Sequence, residues 1–212
     1  MQHRLLQKIR KEYLKSVLDE NFVHPDPFIQ FEVWFDEAIR VVREDANAMA
    51  LASVNDHGEP SARMVLLKSF DERGFVFFTN YDSRKGSDLS GNPRAALLFY
   101  WKEMERQVRI CGRVKKTSRL ESDDYFRSRP MESRISAFIS PQSKIIPDRD
   151  FLETKSNDLR KSGKAIKRPV HWGGYRLVPD AFEFWQGREN RLHDRIAYSK
   201  KRSGWELSRL AP

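Results

Sequence analysis

The chain has a single cysteine, Cys111, among 212 residues. One thiol excludes an intrachain disulfide framework and a multi-cysteine zinc site. No apolar run approaches the roughly 18 residues that a membrane-crossing helix needs. The opening stretch, MQHRLLQKIRKEYLK, scatters charge along its length and lacks the apolar core of a secretory signal. A cytoplasmic protein is therefore expected. The GxGxxG, Walker A and HExxH patterns are missing, so neither a common nucleotide-binding loop nor a zincin site is expected, and no metal site is assigned. Internal repeats, heptads and low-complexity tracts are missing too. Cys111 lies in an apolar run and reads as a small buried hydrophobe.

What is present is a folding chain with an excess of positive charge. Hydrophobic residues make up 39% and aromatics 12%, which argues against disorder. Lys and Arg number 39 against 30 Asp and Glu, a net charge of +9. Such a balance favours an anionic partner: nucleic acid, an acidic membrane surface or small phosphorylated ligands. The excess is uneven. Residues 1–62 carry 7 basic and 11 acidic side chains, whereas residues 63–212 carry 32 and 19. Arginine supplies 24 of the 39 cations, and its planar fork suits bidentate phosphate binding.

Periodicity predicts an amphipathic helix over 1–21, carried by Leu5, Leu6, Ile9, Tyr13, Val17 and Leu18. A second helix is predicted over 25–45. It starts at Asp26–Pro27 and buries Phe28, Phe31, Phe35, Ile39 and Val42. From Ala48 the pattern turns to strands: 48–54, 62–70, 75–80, 95–101 and 107–116. A short helix is expected over 83–92. Ser118 and Glu121 form a capping-box signature before a helix at 119–128, and another helix is expected over 148–160. Strands return at 172–179, 181–187, 194–200 and 205–210. Antiparallel strands with helices at the start and in the middle imply an α+β fold, and the strand count favours a barrel or closed sheet. The expected organisation is a helical segment over 1–24 and one domain over 25–212.

Four clusters carry chemistry. Arg63 and Lys68 bracket an apolar strand segment on opposite faces. Arg84 and Lys85 open a short helix just after a strand, where free backbone N–H groups favour phosphate. Tyr125 and Arg129 share a helix face, and Ser133 follows shortly after. Each of these three also fits a solvated surface. In the fourth, Arg191, His193 and Arg195 alternate beside Trp185, so an extended segment would aim three potential cations one way. Repulsion among them favours a bound anion or polar ligand. Of the five histidines only His193 has such a setting. Gln107 and Gln142–Ser143 are polar positions that fit any loop or strand contact.

Taken together, the segments RMVLLK, FFTNYDSRKG, NPRAALLFYW, ERQVRICG, YFRSRP, QS, WGGYR and EFWQGRENRLHDR, with the terminal SRLAP, resemble the pyridoxamine (pyridoxine) 5′-phosphate oxidase family. The likeness is colinear over about 25–212, and IRKEY extends it into the first predicted helix. The resemblance implies a homodimeric FMN-binding split β-barrel with flanking helices and two FMN sites at the dimer interface. It implies oxidation of pyridoxamine or pyridoxine 5′-phosphate to pyridoxal 5′-phosphate, with O2 reduced to H2O2. On that reading FMN would be held by Arg63, Met64, Val65, Leu66, Leu67, Lys68, Phe78, Thr79, Arg84, Lys85, Gln107, Gln142, Ser143, Trp185 and Arg195. Lys68, Tyr125, Arg129 and Ser133 would grip the substrate phosphate. Arg191 and His193 would hold the pyridine ring and serve as catalytic residues. Arg10 and Tyr13 match a family segment tied to a secondary pyridoxal phosphate contact. The alternatives are another flavin-binding split-barrel oxidoreductase and a nucleic-acid-binding barrel. The latter is disfavoured because most aromatics sit in runs that read as buried.

Overall fold

A computed structural model describes residues 16–212. Among them are α1 (Pro27–Val42), β1 (Ala48–Val54), β2 (Pro60–Leu66), β3 (Ser69–Asp71), β4 (Gly74–Asn80), α2 (Arg84–Gly91), β5 (Arg94–Trp101), β6 (Arg106–Lys116), α3 (Arg119–Ser128), α4 (Met131–Ile139), α5 (Asp150–Lys161), β7 (Trp172–Gln186), β8 (Asp194–Lys201) and β9 (Gly204–Arg209). The strands follow the order β2-β1-β5-β6-β7-β4-β3, with β8 added to β7 and β9 to β8. The α+β class expected from the strand and helix patterns is the one observed. The chain divides into two compact units, the first including Leu97–Cys111 and Pro179–Pro212, the second Ala50–Ala96 and Gly112–Val178.

In the first unit α1 begins as its sequence predicts. The Asp26 carboxylate accepts the Phe28 N–H at 2.8 Å, and Pro27 occupies the first turn. The buried stripe is Pro27, Gln30, Phe31, Trp34 and Ala38, rotated from the expected one, and Ile39 is 47% exposed. The rotation follows from Trp34 and Gln30. The Trp34 ring meets Phe184 edge-on at 5.3 Å and carries the Arg106 guanidinium 4.4 Å from its centroid. Gln30 accepts the His24 N–H at 2.9 Å, so a polar residue satisfies its hydrogen-bonding need while buried. Phe31 packs at 5.1 Å from Phe99, and the Trp101 indole N–H donates to the Ala46 carbonyl at 3.0 Å. Strand β8 pairs with β7 from Ala181↔Ser199 to Gln186↔Asp194, and with β9 from Ile196↔Arg209 to Lys201↔Gly204.

In the second unit β3 and β4 form a hairpin closed at Asp71↔Gly74, and β4 lies on β7 from Phe75↔Leu177 to Asn80↔Trp172. The Ser118 hydroxyl accepts the Glu121 N–H at 3.0 Å, which is half of the expected capping box. The Glu121 carboxylate turns instead to buried Arg176 at 3.0 Å, which Asp71 also binds at 2.7 Å. A buried guanidinium needs two anionic acceptors more than a helix end needs one.

Several expectations are corrected. Residues 16–21 are loop and turn rather than the end of a helix, and the remainder of that predicted helix lies outside the described residues. The segment 62–70 breaks at Leu67–Lys68, where the Lys68 N–H donates to the Val76 carbonyl at 2.9 Å. The two runs at 172–179 and 181–187 are one strand, β7. Pro179 falls between the stretch paired with β4 and the stretch paired with β8. Helix α4 was not foreseen because its short apolar run follows Pro130 without a side-chain cap.

Candidate functional site

The second unit gathers three of the four clusters. The Lys85 ammonium donates to the Gln142 side-chain oxygen at 2.8 Å, and the Thr79 hydroxyl reaches the same oxygen at 3.4 Å. Thr79, Lys85 and Gln142 are thus brought together from β4, α2 and the segment after α4. Ser143 beside them is exposed, with φ at 69° in the left-handed region. Arg63 on β2 is half-buried and turned inward. It donates to the Ser53 hydroxyl at 2.7 Å, the Leu51 carbonyl at 3.3 Å and the Ser61 hydroxyl, and it lies 3.6 Å from Asp88. Ser53 and Ser61 in turn donate to Asp88 at 2.8 and 2.7 Å.

The charges of this cluster are crowded. Burial, reinforced by the neighbouring Arg84 charge, pushes the Arg63 guanidinium below its usual range. Burial and then Arg63 do the same to Lys85. Asp88 carries the counter-charge. Burial would raise its carboxyl, but hydrogen bonds from Ser61 and Ser53, with Arg63 and Arg84 nearby, hold it below the ordinary value. Three cations around one carboxylate leave room for a further anion. Helix α2 starts here, capped by Ser83, whose hydroxyl accepts the Gly86 N–H at 3.3 Å.

The remaining segments of the unit form an aromatic platform. Phe78 stacks on Tyr125 at 4.0 Å and on Trp172 at 5.6 Å, and the Arg129 guanidinium lies 4.7 Å over Trp172. One guanidinium nitrogen of Arg129, Nη1, is buried with no hydrogen-bond partner. Burial pushes Arg129 down, and partial burial together with Arg129 pushes Lys68 down. Burial raises the Tyr125 phenol. Ser133 is half-buried in the first turn of α4. A phenol, two repelling cations and an unpaired buried donor suit a phosphate. Along β2 and just after it, Met64 and Leu66 are exposed, Val65 is half-buried and Leu67 is buried.

The fourth cluster lies in the first unit. Trp185 and His193 meet with ring centroids 4.7 Å apart, and Gln107 is half-buried on β6. The alternation expected of Arg191, His193 and Arg195 is corrected. Residues Glu189–Arg191 form a 3-10 turn with Asn190 and Arg191 at φ 55° and 62°, and β8 starts only at Asp194. Arg191 is exposed. Arg195 is held by Glu183 at 2.9 Å through Nε and 2.8 Å through Nη2, and it donates to the Ala211 carbonyl at 2.7 Å. The Arg188 N–H donates to His193 Nδ1 at 3.1 Å, so the neutral imidazole carries its proton on Nε2. Burial, then the Arg191 charge, pushes His193 below its ordinary value.

Sequence reasoning missed Asp88, Ser53, Ser61, Glu183 and Trp172, which orient the predicted residues. Their types occur throughout the chain, and only the partners they meet distinguish them. Arg10 and Tyr13 lie outside the described residues. No helix among the described residues is long and apolar enough to cross a membrane.

Comparison with known proteins follows the same segments. Residues 35–162 match the family described as pyridoxamine 5′-phosphate oxidase, and residues 172–212 match the pyridoxine 5′-phosphate oxidase C-terminal dimerisation region. Pyridoxine/pyridoxamine 5′-phosphate oxidases of Burkholderia mallei (strain SAVP1) and Burkholderia thailandensis are each 54% identical over 211 residues, covering 98% of this chain and 99% of theirs. PhzG from Burkholderia lata 383, solved in complex with tetrahydrophenazine-1-carboxylic acid, superposes with a TM-score of 0.88 at 30% identity. The match covers 93% of this chain and 99% of that one. A pyridoxamine 5′-phosphate oxidase-related, FMN-binding protein of Nostoc punctiforme shares the fold at a TM-score of 0.70 and 18% identity, over 86% of this chain and 97% of that one. The split-barrel α+β fold that the motifs implied is thereby the fold of this chain. Motifs, fold and full-length relatives agree: the chain belongs to the pyridoxamine 5′-phosphate oxidase family.

Proposed function

We propose that the protein oxidises pyridoxine 5′-phosphate and pyridoxamine 5′-phosphate to pyridoxal 5′-phosphate, using FMN and O2 and releasing H2O2; for the amine, water hydrolyses the imine that forms and ammonia leaves. The observation that carries this reading is the buried, unpartnered Nη1 of Arg129, set beside Lys68 and Tyr125 within the YFRSRP segment. An unpaired buried guanidinium donor is costly, and a phosphate oxygen would relieve it.

The donor set of the second unit also fits the phosphate of FMN. Arg63, Arg84 and Lys85 are crowded cations, and Thr79 and Gln142 add polar groups beside them. Met64 to Leu67, Phe78, Gln107, Ser143, Trp185 and Arg195 are assigned to the rest of that cofactor. When bound, FMN supplies acceptance of a hydride equivalent from the substrate C4′ carbon and its delivery to O2. The chain's own residues bind and orient. Lys68, Tyr125, Arg129 and Ser133 fix the substrate phosphate. Arg191 and His193 hold the pyridine ring. Holding the substrate ring against the flavin makes the transfer effectively intramolecular. The match of residues 172–212 to a dimerisation region supports a homodimer.

The test is the visible spectrum of the purified protein. Flavin bands that bleach anaerobically on adding pyridoxine 5′-phosphate, and return with air, support the assignment. A flavoprotein indifferent to that substrate overturns it. A second reading rests on the TM-score of 0.88 to PhzG, whose ligand is a tricyclic carboxylic acid. A reduced aromatic carboxylate that bleaches the flavin when pyridoxine 5′-phosphate does not would favour it.

A further inference from the structure

The turn joining β7 to β8 carries both proposed ring-holding residues, and its conformation is not one its sequence favours. Asn190 and Arg191 are consecutive non-glycine residues in the left-handed region. Such a pair persists only where surrounding contacts over-determine it. The Leu192 N–H closes the 3-10 turn on the Glu189 carbonyl at 3.0 Å.

The contacts that hold this turn converge on Asp194. Its side chain is half-buried, 16% exposed, and its carboxylate accepts three donors from three parts of the chain. Oδ2 accepts the Leu18 N–H at 3.1 Å and Arg188 Nη1 at 3.3 Å, and Oδ1 accepts Arg209 Nη1 at 2.9 Å. Arg188 stands at the start of the turn and Asp194 at its end, so their pairing closes it. The same Arg188 gives its backbone N–H to His193 Nδ1. Arg209 is itself held by Glu20 at 2.8 Å and by the Leu18 carbonyl at 3.2 Å.

We propose that Asp194 is a positioning residue: by closing the 188–194 turn through Arg188 and anchoring it to Leu18 and Arg209, it fixes the tautomer and direction of the His193 ring and the placement of Arg191. Its catalytic meaning rests on the function proposed above, whereas the clamp itself does not. Removing the charge frees Arg188, whose backbone then no longer holds Nδ1. The ring then loses the Nδ1 contact that sets its tautomer.

The test compares the parent with Asp194→Asn, Asp194→Glu and Arg188→Ala. Nitrogen-15 NMR of histidine-labelled holoenzyme is expected to show one His193 tautomer, protonated at Nε2, in the parent. It should show a mixture in Asp194→Asn, with partial recovery in Asp194→Glu. With pyridoxine 5′-phosphate, kcat should fall about tenfold to a hundredfold in Asp194→Asn, the scale of a 1 Å misplacement, with KM and FMN content nearly unchanged. Arg188→Ala should shift both readouts the same way and less far, and it decides the matter if Asp194→Asn does not fold. An unaltered His193 tautomer in the folded variants overturns the clamp. If the parent oxidises no B6 phosphate, the functional reading fails, and the tautomer alone then decides for or against the clamp.

Discussion

Arg129 shows how a single side chain acquires a role from its surroundings. On sequence it is one arginine among 24. In the fold it lies over Trp172, has one nitrogen buried without a partner, and repels Lys68. Each charge-assisted hydrogen bond contributes about 1.5–3 kcal/mol. Arg129→Ala is therefore expected to raise KM for pyridoxine 5′-phosphate about ten- to a hundred-fold, measured by steady-state oxygen uptake. An unchanged KM would remove Arg129 from the phosphate site. Arg191 has a different prediction because it is exposed and sits beside His193. Arg191→Ala should lower turnover far more than FMN content. Loss of flavin with normal activity per bound FMN would contradict its assignment to the pyridine ring. The residue types of both sites were legible in the sequence. Their supports, such as Asp88 for Arg63 and Glu183 for Arg195, were not, because a serine or carboxylate reveals its partner only when strands distant in sequence are paired.

Elements were legible where local chemistry sets them. Asp26–Pro27 opens α1 and Ser118 opens α3 because a cap is a contact within a few residues. The break at Leu67–Lys68, the unbroken β7 and the face that α1 buries depend on neighbours, and local pattern could not show them. The joint of β4 and β7 shows how tight such dependence is. A Cβ on Gly174 would lie 2.5 Å from Thr117 Oγ1 and 2.9 Å from Phe78 Cε1. Gly174→Ala is expected to cost about 1–3 kcal/mol by overpacking, read from urea denaturation, and to disturb the Phe78–Tyr125 stack. Stability equal to the parent's would mean that this joint has slack.

At the scale of the whole molecule, acid stability should report the Asp88 network. The Asp88 carboxyl is held below its ordinary 3.8, so the unfolded chain takes up a proton at higher pH than the folded protein. The stabilisation is complete above about pH 4 to 5 and is lost as pH falls through the folded value. Asp88→Asn should be less stable than the parent at neutral pH, and the gap in urea midpoint should close as the solution is acidified. A gap that is constant with pH would contradict this. Sedimentation of the intact protein should give twice the 25.0 kDa of one chain, as expected of a homodimer. The net charge of +9 left three kinds of anion open. The structure draws many cations into internal pairs, Arg176 with Asp71 and Glu121 and Arg168 with Asp123 among them, and crowds others where an anion is needed. By itself the sequence determined the family, the starts of α1 and α3 and most of the strands, and it named the candidate residues, because periodicity, capping and colinear motifs are properties of neighbours along the chain. Only the tertiary structure decided that Arg191 leaves the extended path, that Glu183 and Asp88 hold the arginines, and that Arg129 keeps a buried donor unpaired. Those are facts about which groups meet after distant strands pair and water is excluded, and no local pattern encodes them.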